Sequence, residues 1–114
     1  MEDNSFNFRQ ATLYKIKYAR VCRRDDTVRT IITTFLRHTK WHIEFGHPMR
    51  EDGYVEAGEC GLKWEDIRSV EPVTKEELAL WKENTKKFIL DVVREHGYDI
   101  CAENLFVVEN YTGL

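Results

Sequence analysis

Little punctuates this chain of 114 residues: three cysteines, two prolines and six glycines, no two of the glycines adjacent. Each scarcity excludes something. Cys22, Cys60 and Cys101 are odd in number, widely spaced and without a Cys-x-x-Cys pair, so they form neither a disulfide framework nor a zinc motif. They read as reduced thiols. The glycines never take the spacing of a phosphate-cradling loop, neither G-x-x-x-x-G-K nor G-x-G-x-x-G, so a nucleotide cofactor held in that way is excluded. No segment approaches the roughly 18 consecutive apolar residues of a membrane-spanning helix, and the first dozen residues lack the basic end and apolar run of a signal peptide. The expectation is a cytoplasmic protein with no membrane partner, no cofactor and no metal. Repeats, low-complexity tracts and linkers are also missing, which points to one domain over 1–114, with 1–9 as a loose arm.

What is present is strongest at Val73-Thr74-Lys75-Glu76-Glu77-Leu78. Thr74 can cap free backbone N–H groups, Glu77 can reach back to close a capping box, and Val73 with Leu78 can form a hydrophobic staple. Glu76 and Glu77 suit the positive end of the helix dipole. Leu78, Trp81, Thr85, Phe88, Val92 and His96 then recur at spacings of three and four, with Ile89 widening the stripe. Gly97 offers a C-cap. The spacing predicts a helix over 75–96, roughly 33 Å long at about 1.5 Å per residue, with one apolar face to be covered.

The rest reads as strands. Residues 11–22 place Tyr14, Ile16 and Tyr18 on one face and Lys15 and Lys17 on the other, the period of a half-buried strand. Residues 27–38 carry helical spacing, yet most side chains from Thr27 to Phe35 are β-branched or aromatic, which favours a strand. Lys40 to Phe45 alternates, with Trp41, Ile43 and Phe45 on one side. Residues 46–53 read as an exposed loop ending in an Asp-Gly turn, and 54–57 as a short strand. Residues 62–70 read as extended with a helical turn near Trp64, 105–108 as a last strand, and 110–114 as a tail. The fold class is α+β: an antiparallel meander of four to five strands packed against one long C-terminal helix. The alternative is a ferredoxin-like β-α-β-β-α-β sandwich with 27–38 helical.

Net charge is −3, unevenly spread. Residues 1–50 hold ten Lys and Arg against five Asp and Glu, and residues 51–114 hold seven against fifteen. A basic sheet paired with its own acidic helix explains this. A basic face turned towards a polyanion is the other reading.

Reactive constellations are weak. On a strand, His38 and His42 stand about 13 Å apart, too far to share an ion, and His47 and Cys60 add no ligand spacing. Adjacent carboxylates such as Glu65 and Asp66 read as solvated turn residues. Cys22, followed by Arg23 and Arg24, is a weak nucleophile candidate. The balance favours a small non-enzymatic binding module acting through its surface on a protein partner. Its candidate binding residues are Lys15, Lys17, Arg20, Arg23 and Arg24 of the basic sheet, with His47, Met49 and Arg50 of the 46–53 loop. The alternatives are nucleic-acid binding through the basic sheet, and a small cysteine/histidine enzyme. A homodimer joined through 105–108 is a further expectation.

Overall fold

The computed structural model describes residues 12–21, 27–56, 59–96 and 110–113. Along the chain these form β1 (Thr12–Tyr18), β2 (Arg29–His38), β3 (His42–Arg50), β4 (Glu59–Lys63), a single 3-10 turn (Trp64–Asp66), β5 (Ile67–Glu71), α1 (Lys75–His96) and β6 (Thr112–Gly113). The strands make one sheet in the order β4-β3-β2-β1-β5, antiparallel throughout, with β6 added in parallel beside the first residues of β1. The fold is thus α+β, with a meander and one long helix. Residues 29–38 are a strand, as their β-branched side chains favour.

Chain length forces a shape on that order. β4 and β5 are at opposite ends of the five-strand path, about 19 Å apart in a flat sheet. Only the three residues of the 3-10 turn join them, and four residue steps reach at most about 14 Å. The sheet must therefore roll. The rolled corner is stitched by Asp66, whose Oδ1 accepts from Val21 N–H (3.1 Å) and Oδ2 from Lys63 N–H (3.2 Å), while its carbonyl accepts from Ala19 N–H (3.0 Å). Arg20 adds a bond from β1's end to the Gly61 carbonyl of β4 at 3.1 Å.

Rolling gives the sheet two apolar faces. Inside lie Tyr14, Ile16, Ile31, Ile43, Phe45 and Leu62, with Trp64, Ile67 and Val70 packed against them. Outside, Leu13, Ile32, Met49 and Val55 gather with Trp81 of α1, and the helix stripe adds Leu78, Phe88 and Ile89. Successive residues Leu13/Tyr14 and Ile31/Ile32 are buried on opposite sides, so the middle strands have no free face. The helix start matches its signals: Thr74 N–H donates to Glu77 Oε1 (2.8 Å), and Glu77 N–H donates to Thr74 Oγ1 (3.0 Å).

Three expectations are corrected. Residues 46–50 are not loop but the second half of β3. Gly46 and Pro48 suggested a break, but a register shift beside them forms a bulge, where proline costs no ladder bond. The bulge is held by Thr33, whose hydroxyl donates to the Gly46 carbonyl. Of the strand expected at 54–57, residues 54–56 make only an isolated bridge from Val55 to Met49, and residue 57 lies outside the described residues. The tail contributes β6, because Tyr111 packs its ring on Trp81 with centroids 5.2 Å apart. At Gly113 an added Cβ would come within 2.8 Å of Val73 Cγ2, so a larger residue would require the Val73 side chain to shift. The expected strand at 105–108 lies outside the described residues.

Asp66→Ala removes a carboxylate that two backbone donors share in a 2% exposed site. It is expected to lower unfolding free energy by about 3 kcal/mol in urea denaturation, with Asp66→Asn losing less. A loss under about 1 kcal/mol would mean that apolar packing alone holds the corner.

Candidate functional site

Of the eight residues singled out from sequence, four meet around one open groove of about 350 Å³ between the start of α1 and the outer face of the sheet. Lys15, Lys17 and Arg50 stand at its rim, while Met49, Ile32 and Leu80 supply apolar lining. Met49 is not a surface residue: at 3% exposure it belongs to the core beneath α1. The rim cations already have partners. Lys15 Nζ lies 3.0 Å from Glu77, Lys17 Nζ lies 3.3 Å from Glu71, and Arg50 Nε lies 3.5 Å from Glu56 with its guanidinium over the Tyr54 ring. Arg20 turns away from the groove, bonding to Gly61 and covering the Tyr18 ring. Arg23 and Arg24 lie outside the described residues, as do Cys22 and Cys101. His47 lies in β3, and only its backbone is described.

Sequence reasoning passed over a second region, where β2 turns into β3. Phe45 and Ile43 of β3 lie on its inner face, and Trp41 stands just before the strand, two residues from Ile43. The first two are fully buried and the third is 72% exposed. The turn beneath Trp41 is well held. Thr39 Oγ1 accepts from the N–H groups of Trp41 and His42, both at 3.2 Å, and Thr39 N–H donates to the His42 carbonyl at 2.8 Å. The rolled corner braces it, since Trp64 Nε1 donates to the Thr39 carbonyl at 3.1 Å and the Trp64 ring meets His38 edge-on. Lys40 Nζ sits 5.8 Å from the Trp41 ring centre. His42 Nε2 contacts Glu44 at 3.0 Å, and Arg37 pairs with the same carboxylate. The alternation grouped Trp41 with Ile43 and Phe45, but β3 begins at His42 and Trp41 before it is left exposed.

Among the described residues no three His, Cys, Asp or Glu side chains converge as metal ligands, and no helix is long and apolar enough to cross a membrane. Compared with protein-family models, with curated proteins and with solved structures, the chain matches none. The arrangement of side chains is therefore the whole of the functional argument.

Two carboxylates paired with the groove's lysines are held below their ordinary range. Burial pushes Glu77 up, but the Thr74 N–H and the Lys15 ammonium outweigh it and hold the pKa below 4.5. The Ser69 hydroxyl and then Lys17 hold Glu71 down in the same sense. A depressed carboxyl pKa contributes stability above the unfolded value, and that contribution is lost as pH falls through the folded one. Stability should therefore decline below about pH 4.5. In denaturation midpoints measured against pH, Glu77→Gln and Glu71→Gln should each be less stable than the parent at pH 7 and should decline less steeply below that point. An unchanged acid slope in both variants would show that these pairs do not couple to folding.

Proposed function

We propose that this chain is a small non-enzymatic binding module that engages a protein partner through the β2–β3 turn, with Trp41 as its anchor. The observation carrying the reading is the 72% exposure of Trp41 just ahead of the buried Ile43 and Phe45. An indole left in water adds little to the fold, whereas tryptophan placed in a partner's pocket is a frequent source of binding energy. Covering its exposed area is worth on the order of 3 kcal/mol at about 25 cal/mol per Å². The bonds from Thr39 and Trp64 support the same reading, because an anchor already held in place pays less ordering entropy on association.

Nucleic-acid binding is the second reading. Three aromatic–cation pairs, Tyr18 with Arg20, Trp41 with Lys40 and Tyr54 with Arg50, supply the groups that stack bases and hold phosphates. It ranks lower because Arg50 faces Glu56 and Asp52, Arg20 is bonded to a carbonyl, and the chain is net negative.

Trp41→Ala should leave the melting temperature within a degree or two, since so exposed a ring contributes little to the core. In quantitative affinity capture from nuclease-treated extract, the variant should lose the proteins retained by the parent, and a purified retained protein should bind it roughly a hundredfold more weakly. Identical retained sets would remove Trp41 from the interface. Retention abolished by nuclease in the parent would favour the second reading.

A further inference from the structure

Three polar side chains, Thr39, His42 and Glu44, form a connected chain through the turn that carries Trp41. His42 Nε2 lies 3.0 Å from Glu44 Oε2, and His42 Nδ1 lies 3.2 Å from Thr39 Oγ1. A carboxylate can only accept, so Nε2 carries the imidazole hydrogen, and bare Nδ1 accepts from the Thr39 hydroxyl. Thr39 is then at capacity. Its two lone pairs hold the N–H groups of Trp41 and His42, both at 3.2 Å, and its one hydrogen goes to the ring. The hydroxyl's other acceptor among the described contacts is the His42 carbonyl at 3.5 Å, to which the Thr39 N–H already donates at 2.8 Å.

We infer that the Trp41 surface is gated by a proton on His42: the neutral imidazole locks the turn, and the imidazolium loosens it. This rests on the reading of Trp41 as the anchor and adds what regulates its presentation. A proton on Nδ1 turns an acceptor into a donor aimed at an oxygen with no lone pair left. Either the Trp41 or the His42 N–H must give up Thr39, or the ring must swing away from it. Each way the turn loses a bond. The charges around the ring act in the same sense. Lys63 of β4 stands directly opposite His42 in the ladder, and like charges so placed repel. Arg37 and His38 end β2, and Lys40 lies in the turn itself. Glu44 draws the other way, but Arg37 already answers its carboxylate. The corner supplies Trp64, which is uncharged, Glu65, which is exposed, and Asp66, which is committed to backbone N–H groups. Histidine changes charge between about pH 5 and 8, so the gate works within that span.

Amide relaxation of the full isotope-labelled chain, measured by magnetic resonance at about pH 7.5 and about pH 5.5, tests the lock without a partner. The heteronuclear NOEs of the Trp41 and His42 amides should fall at the lower pH, while those of Ile43 and Phe45 hold. His42→Gln, which gains no proton, should give the same values at both. His38→Gln should fall as the parent does. Thr39→Ser keeps the hydroxyl and should behave as the parent, whereas Thr39→Val should be loose at either pH. The purified retained protein of the Trp41 test should bind the parent roughly fivefold more weakly at the lower pH, and His42→Gln equally at both. A parent turn equally ordered at both pH values, or a fall that persists in His42→Gln, would overturn the gate whatever Trp41 binds. A loosened turn with undiminished binding would overturn it as well. A fall confined to chains that keep His42, with retained sets unchanged by Trp41→Ala, would support the lock and overturn the anchor reading alone.

Discussion

Asp66 decides the architecture. A three-residue turn must carry the chain from one edge of the sheet to the other, and it can do so only if the sheet rolls until the corner meets the end of β1. The corner carries backbone donors that the sheet ladders leave over, and Asp66 accepts from two of them while its own carbonyl takes a third. Buried donors left unpaired would each cost about 1–3 kcal/mol, comparable with burying a large apolar side chain. The inner core follows from this closure, since Tyr14, Phe45 and Leu62 are enclosed only by a rolled sheet. The support of the β2–β3 turn follows too, through Trp64 of the same corner.

The helix is fixed to that roll by a division of labour. Leu78, Trp81, Phe88 and Ile89 cover the outer apolar face, while Glu77 caps its own helix and holds Lys15 of β1. The first interaction supplies area and the second supplies register, because an ammonium on one known strand position meets a carboxylate on one known turn of helix. Asn84 adds a second fixed point, donating to the carbonyl of Gly53 at 2.8 Å, where a φ of +88° calls for glycine. The uneven charge along the chain is thereby answered in part within it. Lys15 of the basic half meets Glu77 at the seam between sheet and helix, and Lys17 meets Glu71 of the neighbouring strand β5.

These elements differ in how openly the sequence displays them. The helix of 75–96 carries cap, staple and stripe within one window, and all are local, so its limits are legible. β1 and β2 are legible for a similar reason, through alternation and β-branching. β3 beyond Phe45 is not, because glycine and proline signal a break locally, whereas the ladder to β2 and the Thr33 hydroxyl that keep the segment in the sheet lie about thirteen residues earlier. Asp66 is hidden for the same reason: beside Glu65 it looks like a solvated turn carboxylate, and its donors lie forty-five residues away at Val21 and three away at Lys63. The candidate basic residues were visible as charges, but their partners on α1 and β5 were not.

That last contrast bears on function more than the charges themselves do. A lysine's value to a partner depends on what it already holds, and composition counts every lysine alike. Lys15 and Lys17 would have to leave Glu77 and Glu71 to greet a ligand, and leaving Glu77 would also loosen the docking of α1. Lys40 has no carboxylate partner among the described residues, and it stands next to an apolar ring that the fold has not covered. Binding at the groove would therefore compete with stability, whereas binding at the β2–β3 turn would not. Selection for a contact surface can act on the turn without disturbing the roll that holds it in place.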